Sequence, residues 1–182
     1  MKYFIDTEFK EKPCTIDLIS IGIVGEDGRE YYALCSDFKL KEVWNDEWLR
    51  DNVLFPIYKE HIHGDMQLIN SFSIRTMRHI MGVFGKSKKQ IANDIEIFVS
   101  QPEFYGYYSN YDWVVFCWIF GRMLDLPKGF PMYCKDLKQM MDDRGLTKEW
   151  KRVNCPDPIG EHNALIDARW NLDLYHKIVV LK

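Results

Sequence analysis

The sequence predicts an α/β fold in a single domain, residues 1–182, from three observations. Residues 2–34 hold three consecutive runs rich in β-branched and aromatic residues, and beyond residue 86 helical periodicities alternate with short β-rich segments. A chain of 182 residues with 47% hydrophobic and 15% aromatic content is also large enough for one sizeable core.

The first run, Lys2-Tyr3-Phe4-Ile5-Asp6-Thr7-Glu8-Phe9, reads as a strand. The two-residue period puts Phe4, Asp6 and Glu8 on one face and Tyr3, Ile5, Thr7 and Phe9 on the other. Two carboxylates roughly 7 Å apart along a strand repel one another unless water or a cation screens them. An isolated D-x-E is equally well explained as a strand end with two solvated acids, so further carboxylates decide the matter. Thr15 to Val24 is a second, mostly apolar run, and Glu30 to Leu34 a third, with Glu26-Asp27-Gly28-Arg29 between them as a hairpin signal. A sheet opened by three such strands needs helices to cover it.

Residues 39–85 carry a helix-like piece from about Glu42 to Leu54, stopped near Pro56, then a polar segment holding His61 and His63, read as ordinary surface. Trp44 and Trp48, spaced i, i+4, read as a packing stripe rather than a base-stacking platform. Ser87-Lys88-Lys89-Gln90 has the capping-box pattern of a helix start, with Ile91, Ile95 and Phe98 as its buried stripe. Lysines in a first turn oppose the helix dipole. A phosphate bound there would explain them, but a solvated pair costs only a few tenths of a kcal/mol and is the simpler reading.

Pro102 to Tyr108 reads as a fourth strand ending in Ser109-Asn110-Tyr111, followed by a helix to about residue 124. Asp112 heads its apolar stripe of Val115, Phe116 and Ile119, either as a third carboxylate of interest or as a helix cap. Phe130 to Cys134 suggests a short fifth strand and Asp136 to Arg144 another helix. Gly145 to Gly160, with Pro156 and Pro158, reads as a loop carrying the basic cluster Lys148, Lys151 and Arg152. The last helix runs from about His162 to Val180. One stripe joins Ala164, Asp167, Asn171, Leu174 and Ile178, and a second apolar stripe, Leu165, Ala168, Leu172 and Val179, predicts burial on two sides. An ionised Asp167 on such a face is expensive unless paired or bound to metal. His162, at or before the helix start, can point toward the same region.

Asp6-x-Glu8 on the first strand, Tyr108-Ser109-Asn110-Tyr111-Asp112 at a strand-to-helix junction and His162-Asn163-Ala164-Leu165-Ile166-Asp167 on the last helix together resemble the DEDDh 3′-5′ exonucleases of the ribonuclease-H-like superfamily. Tyr3 to Phe9, Ile16 to Gly22 and Glu26 to Tyr32 are most similar to the short stand-alone bacterial exoribonucleases of the mycobacterial type. The resemblance implies a mixed five-stranded sheet, strand two antiparallel to the rest, with helices on both faces. It implies two Mg²⁺ or Mn²⁺ ions on Asp6, Glu8, Asp112 and Asp167, with Glu8 and His162 catalytic and His162 the general base. It makes Thr7 and Phe9 contacts of the terminal nucleotide. The expected activity is hydrolysis of RNA, single-stranded or as a 3′ overhang, from its free 3′ end to nucleoside 5′-monophosphates, by a chain that is often a homodimer. The alternatives are a DNA exonuclease or oligonucleotidase on the same site, or an inactive nucleic-acid-binding module. The short Tyr-Ser-Asn-Tyr-Asp motif, in place of the Asn-x-x-Phe-Asp of proofreading exonucleases, points away from a polymerase-linked DNA editor.

A net charge of −3 does not mark a nucleic-acid binder, but two divalent ions held by four of the acids would turn the net charge of the whole chain positive, with the added charge placed at the site itself. Cys14, Cys35, Cys117, Cys134 and Cys155 are odd in number with no C-x-x-C, which predicts reduced thiols and a cytoplasmic protein. Asp6 and Glu8 interrupt the only N-terminal apolar run, and Trp113 to Phe120, the longest apolar stretch, is too short to span a bilayer. No signal peptide and no membrane partner are expected.

Overall fold

The computed structural model describes residues 1–62 and 71–181. β1 (Lys2–Lys12) and β2 (Thr15–Gly25) form an antiparallel hairpin, and β3 (Glu30–Leu34) pairs antiparallel with β2. The chain then passes through α1 (Leu40–Trp44), α2 (Glu47–Leu49), α3 (Phe55–His61), α4 (Ile74–Phe84) and α5 (Lys88–Phe98) before β4 (Glu103–Gly106). α6 (Asn110–Phe120) leads to β5 (Lys135–Asp136), then α7 (Leu137–Asp142), α8 (Lys148–Asn154) and α9 (Ala164–Val180). β4 runs parallel to β1 and β5 parallel to β4, giving the order β3-β2-β1-β4-β5. Strand two alone runs against the others, as the ribonuclease-H-like reading requires.

The alternation along β1 divides the core in two. Tyr3 and Ile5 face a large cluster with Ile91 and Ile95 of α5 and Phe116 of α6. Phe4 faces a smaller cluster with Leu137 and Met141 of α7 and Trp170, Leu174 and Ile178 of α9. Helices therefore cover both faces, and β1 is the central strand through which both layers meet.

Several local expectations need correction. The helix expected to stop near Pro56 instead takes a π-helical turn, Arg50–Leu54, and continues as α3 with Pro56 in its first turn. The π-helical turn lies just before the proline, whose missing N–H leaves out one bond of the continuing ladder. His61 belongs to this helix, its Nδ1 2.7 Å from the Ile57 carbonyl oxygen, whereas His63 lies outside the described residues. The fifth strand is not Phe130 to Cys134 but Lys135–Asp136, the two residues in register with Tyr105 and Gly106. Phe130 packs instead as an irregular segment, its ring 5.8 Å from both Phe104 and Phe120.

The stretch 145–160 is not loop throughout. Thr147 caps α8 by accepting the Trp150 N–H, and Trp150 packs against the smaller core cluster. α9 begins two residues later than expected, because the Asn163 side chain accepts the Leu165 and Ile166 N–H groups as its cap. Ala164, Asn171, Leu174 and Ile178 are buried as expected, but of the second stripe only Ala168 is, and Val179 is exposed. At α5 the capping box forms, and the Lys88 N–H donates to Asp37 at 2.7 Å, so a carboxylate of this chain serves the helix end. All five cysteines are free thiols. Among the described residues no helix is long and apolar enough to cross a membrane.

Candidate active site

Four carboxylates converge where β1 passes between its neighbours. Asp6 and Glu8 lie on the β1 face that carries Phe4, with a β-bulge between Glu8 and Phe9. Asp112 comes from the first turn of α6, where the chain leaves β4 through a turn held by Ser109 N–H donating to Asp136 at 2.8 Å. Asp167 comes from the first turn of α9. Asp6, Glu8 and Asp167 each offer an oxygen, all within 4.8 Å of one another. Asp112 stands outside this trio. Its Oδ1 accepts from the Thr7 N–H at 2.9 Å and the Thr7 hydroxyl at 2.6 Å.

The electrostatics follow from burial and like charge. Asp6 is half-buried, and desolvation, then Asp112, Glu8 and Asp167, push its pKa well above the usual carboxylate range. Desolvation, then Asp167 and Asp112, push Glu8 up to about 8. Burial brings Asp112 to about 6 although the two Thr7 hydrogen bonds oppose the rise. Burial brings Asp167 to about 6, opposed by the His162 N–H, which donates to Oδ2 at 2.8 Å. Such a cluster must hold protons or a cation, and a donor set made only of carboxylate oxygens fits a hard divalent ion.

Two contacts hold α9 against the sheet here. Gly22 of β2, paired with Asp6, lies so close to α9 that a Cβ would sit 2.1 Å from the Ala164 carbonyl oxygen. The buried Asn171 side chain donates to the Ile5 carbonyl oxygen at 2.9 Å, clamping α9 to the strand one residue before Asp6.

His162 is half-buried in the left-handed region at φ 69°, and its imidazole meets the edge of Trp48 with ring centres 4.7 Å apart. A cavity of about 920 Å³ joins these groups. It is lined by the four acids, Thr7 and His162, by Phe9, Trp48, Tyr107 and Tyr108, and by Lys148, Lys151 and Arg152 of α8. The structure therefore places all seven sequence-selected residues on one cavity. Thr7 is buried with its hydroxyl engaged by Asp112, and Phe9 is half-buried with its ring 6.0 Å from Tyr111.

The sequence reading missed Trp48, Gly22 and Asn171. Trp44 and Trp48 do not form one packing stripe, because the chain leaves the helix at Asn45 and Asp46 between them. Trp44 packs on Phe72 at 4.9 Å, whereas Trp48 is 51% exposed in the cavity. A glycine inside a β-branched run was the available signal for Gly22, since such a residue often marks close backbone approach.

Comparison with known proteins agrees with this architecture. The family described as "3′-5′ exoribonuclease Rv2179c-like domain" matches residues 1–179. The chain is 33% identical over 183 residues to "3′-5′ exoribonuclease Rv2179c" of Mycobacterium tuberculosis strain H37Rv, covering 98% of this chain and 93% of the relative. The counterpart from strain CDC 1551, "3′-5′ exoribonuclease MT2234.1", matches with the same identity and coverage.

Proposed function

Because this chain belongs to the 3′-5′ exoribonuclease Rv2179c-like family, we propose that it hydrolyses RNA from a free 3′ end in a reaction that depends on divalent metal. The observation that carries the metal dependence is the approach of Asp6, Glu8 and Asp167 to within 4.8 Å of one another in a partly buried setting that keeps their pKa values high. With Asp112 they would hold two Mg²⁺ or Mn²⁺ ions. When bound, such a pair neutralises charge on the attacking and leaving oxygens and activates water.

The chain's own residues supply the rest. His162 takes the proton from the attacking water as general base. Its backbone N–H on Asp167 ties the position of base and acid together. Thr7 holds Oδ1 of Asp112 in place, and Phe9 and Trp48 offer surfaces for the terminal nucleotide. The water oxygen bonds to phosphorus, the bond from phosphorus to the penultimate O3′ breaks, that O3′ takes up a proton from solvent, and a nucleoside 5′-monophosphate leaves. The free thiols support a cytoplasmic setting. A homodimer is part of the same reading, which sedimentation would test.

The test is a time course on matched 5′-labelled RNA and DNA oligonucleotides in Mg²⁺ and in EDTA, with Asp6→Ala as control. The expected result is a metal-dependent ladder shortening RNA from its 3′ end, slower on DNA, and a folded but inactive Asp6→Ala protein. Trimming by Asp6→Ala at the wild-type rate would overturn the reading, and faster cutting of DNA would change the substrate while leaving the site in place.

A further inference from the structure

One wall of the cavity has no part in the chemistry above. Lys148, Lys151 and Arg152 reach it from α8, beside Tyr107 and Tyr108. The wall is built on the smaller core cluster: Trp150 packs into that cluster, and the Trp170 indole N–H donates to the Pro156 carbonyl oxygen at 2.8 Å. Lys151 is committed within the wall. Its ammonium pairs with Asp157 and lies over the Trp170 and Tyr107 rings, 4.8 and 5.3 Å from their centres. It joins α8 to the segment after it and to the strand-to-helix turn that carries Tyr107.

The other two cations are available. Lys148 is exposed and has no ion-pair partner among the described residues. Among the described residues Arg152 pairs only with Glu149, three residues earlier on the same helix, and both side chains are largely exposed. Such an exposed pair contributes little and exchanges readily for another anion. The remaining acids on this side of the cavity are Asp157, already paired with Lys151, and Glu161.

We propose that α8 is the phosphate track of the cavity, on which Lys148 and Arg152 bind backbone phosphates of single-stranded RNA on the 5′ side of the cleaved bond, with Tyr108 offering a stacking surface. The inference rests on the exoribonuclease reading of the acid site. Phe9 packs on the large core cluster and Trp48 comes from α2, whereas Trp150 of α8 packs on the smaller cluster with α7 and α9, so the cavity that holds the acids has two separately supported walls. If the terminal nucleotide takes the first wall, the chain it is cut from takes the second. A basic face interleaved with aromatic rings is the chemistry that holds a single strand without reading its sequence. Here it also offsets the repulsion between the acid site and every phosphate beyond the cleaved one.

The experiment measures binding of a 5′-labelled ten-nucleotide RNA by anisotropy across a range of KCl. It compares Asp6→Asn protein with the same protein carrying Lys148→Gln and Arg152→Gln, and with a control carrying Lys89→Gln on α5, outside the cavity. Every phosphate left without its cation should lower the slope of log affinity against log salt by about 0.7, so the double change should lower it by about 1.4, while Lys89→Gln leaves it unchanged. In otherwise wild-type protein, the same double change should slow trimming of the ten-nucleotide RNA and spare a dinucleotide. An unchanged slope, or equal losses on the two lengths, would overturn the phosphate track while wild-type trimming upholds the exoribonuclease reading. A lowered slope in a protein whose wild-type form trims no RNA would instead keep the track and remove the activity.

Discussion

Gly22 of β2 and Ala164 of α9 meet backbone to backbone: a Cβ on Gly22 would lie 2.1 Å from the Ala164 carbonyl oxygen and 2.5 Å from the Leu165 nitrogen. Gly22 is also the strand partner of Asp6. One position thus sets both how close α9 comes to the sheet and where Asp167 and His162 stand relative to Asp6.

Gly22→Ala should therefore lower activity far more than its single methyl group suggests. Both clashing neighbours are backbone atoms, so relief requires the start of α9 to move off β2. Overpacking of this kind costs about 1–3 kcal/mol of stability, and a shift near 1 Å at reacting groups costs on the order of 10²-fold in rate. Urea melts and trimming rates on the same preparation check both. Wild-type activity in Gly22→Ala would show that Asp167 is not positioned through this contact.

Thr7→Val separates the two hydrogen bonds that Thr7 gives Asp112. The backbone N–H bond stays and the hydroxyl bond is removed. Both bonds hold the Asp112 pKa down against burial, and it stands at about 6 with them in place. Without the hydroxyl it rises, so near neutral pH more of the carboxyl is protonated and unable to bind metal. Loss of one charge-assisted bond, about 1.5 kcal/mol, is about one pKa unit and about halves the ionised fraction at pH 7, which predicts a roughly twofold higher Mg²⁺ concentration for half-maximal trimming there. The gap should narrow at pH 9. Mg²⁺ titrations at the two pH values check it, and a gap of equal size at both would place the effect elsewhere.

Much of this arrangement was legible in the sequence wherever the signal was local. The period-two split of β1 anticipated the two core clusters on its faces, and Ser87 with Gln90 anticipated the capped start of α5. The acids were legible because D-x-E, the Asp after a strand and the Asp on an apolar helix stripe each carry a spacing. What escaped depends on contacts distant in sequence. Asn171 reaches Ile5 across 166 positions, and Gly22 matters only because α9 returns to it. β5 was misplaced because two residues are too few to show a period. Pro56 read as a stop because a proline looks the same one residue after a helix and one residue into the next.

The pKa pattern makes the metal-free protein less stable as pH rises. Glu8 ordinarily titrates near 4.5 and is pushed up to about 8 in the fold, and Asp112 and Asp167 move from 3.8 to about 6. Between its ordinary and its raised value, each group is protonated when folded and ionised when unfolded, so unfolding releases a proton. Their stabilisation is thus complete below the ordinary values and lost as pH climbs through the raised ones. In EDTA the melting temperature should fall from pH 5 to pH 8.5, and Glu8→Gln should flatten the upper part of that fall. Mg²⁺ or Mn²⁺ should raise the melting temperature more at pH 8 than at pH 5, because metal and proton compete for the same oxygens. A metal increment independent of pH would mean that the ions bind elsewhere.

Trp44 and Trp48, four residues apart, should fail in opposite ways. Trp44 packs against Phe72 on the rim of the large core cluster, so Trp44→Ala should remove about 2–4 kcal/mol of stability with little change in rate per folded molecule. Trp48 is half exposed, and its described ring contact is with the His162 imidazole. Trp48→Ala should leave stability within about 0.5 kcal/mol, as for other surface changes, yet lower kcat by releasing the imidazole from one orientation. Trp48→Phe, which keeps an aromatic edge beside the imidazole, should recover most of the loss. If the Ala variant raised KM alone and left kcat unchanged, Trp48 would act only as a surface for the terminal nucleotide and would not orient His162.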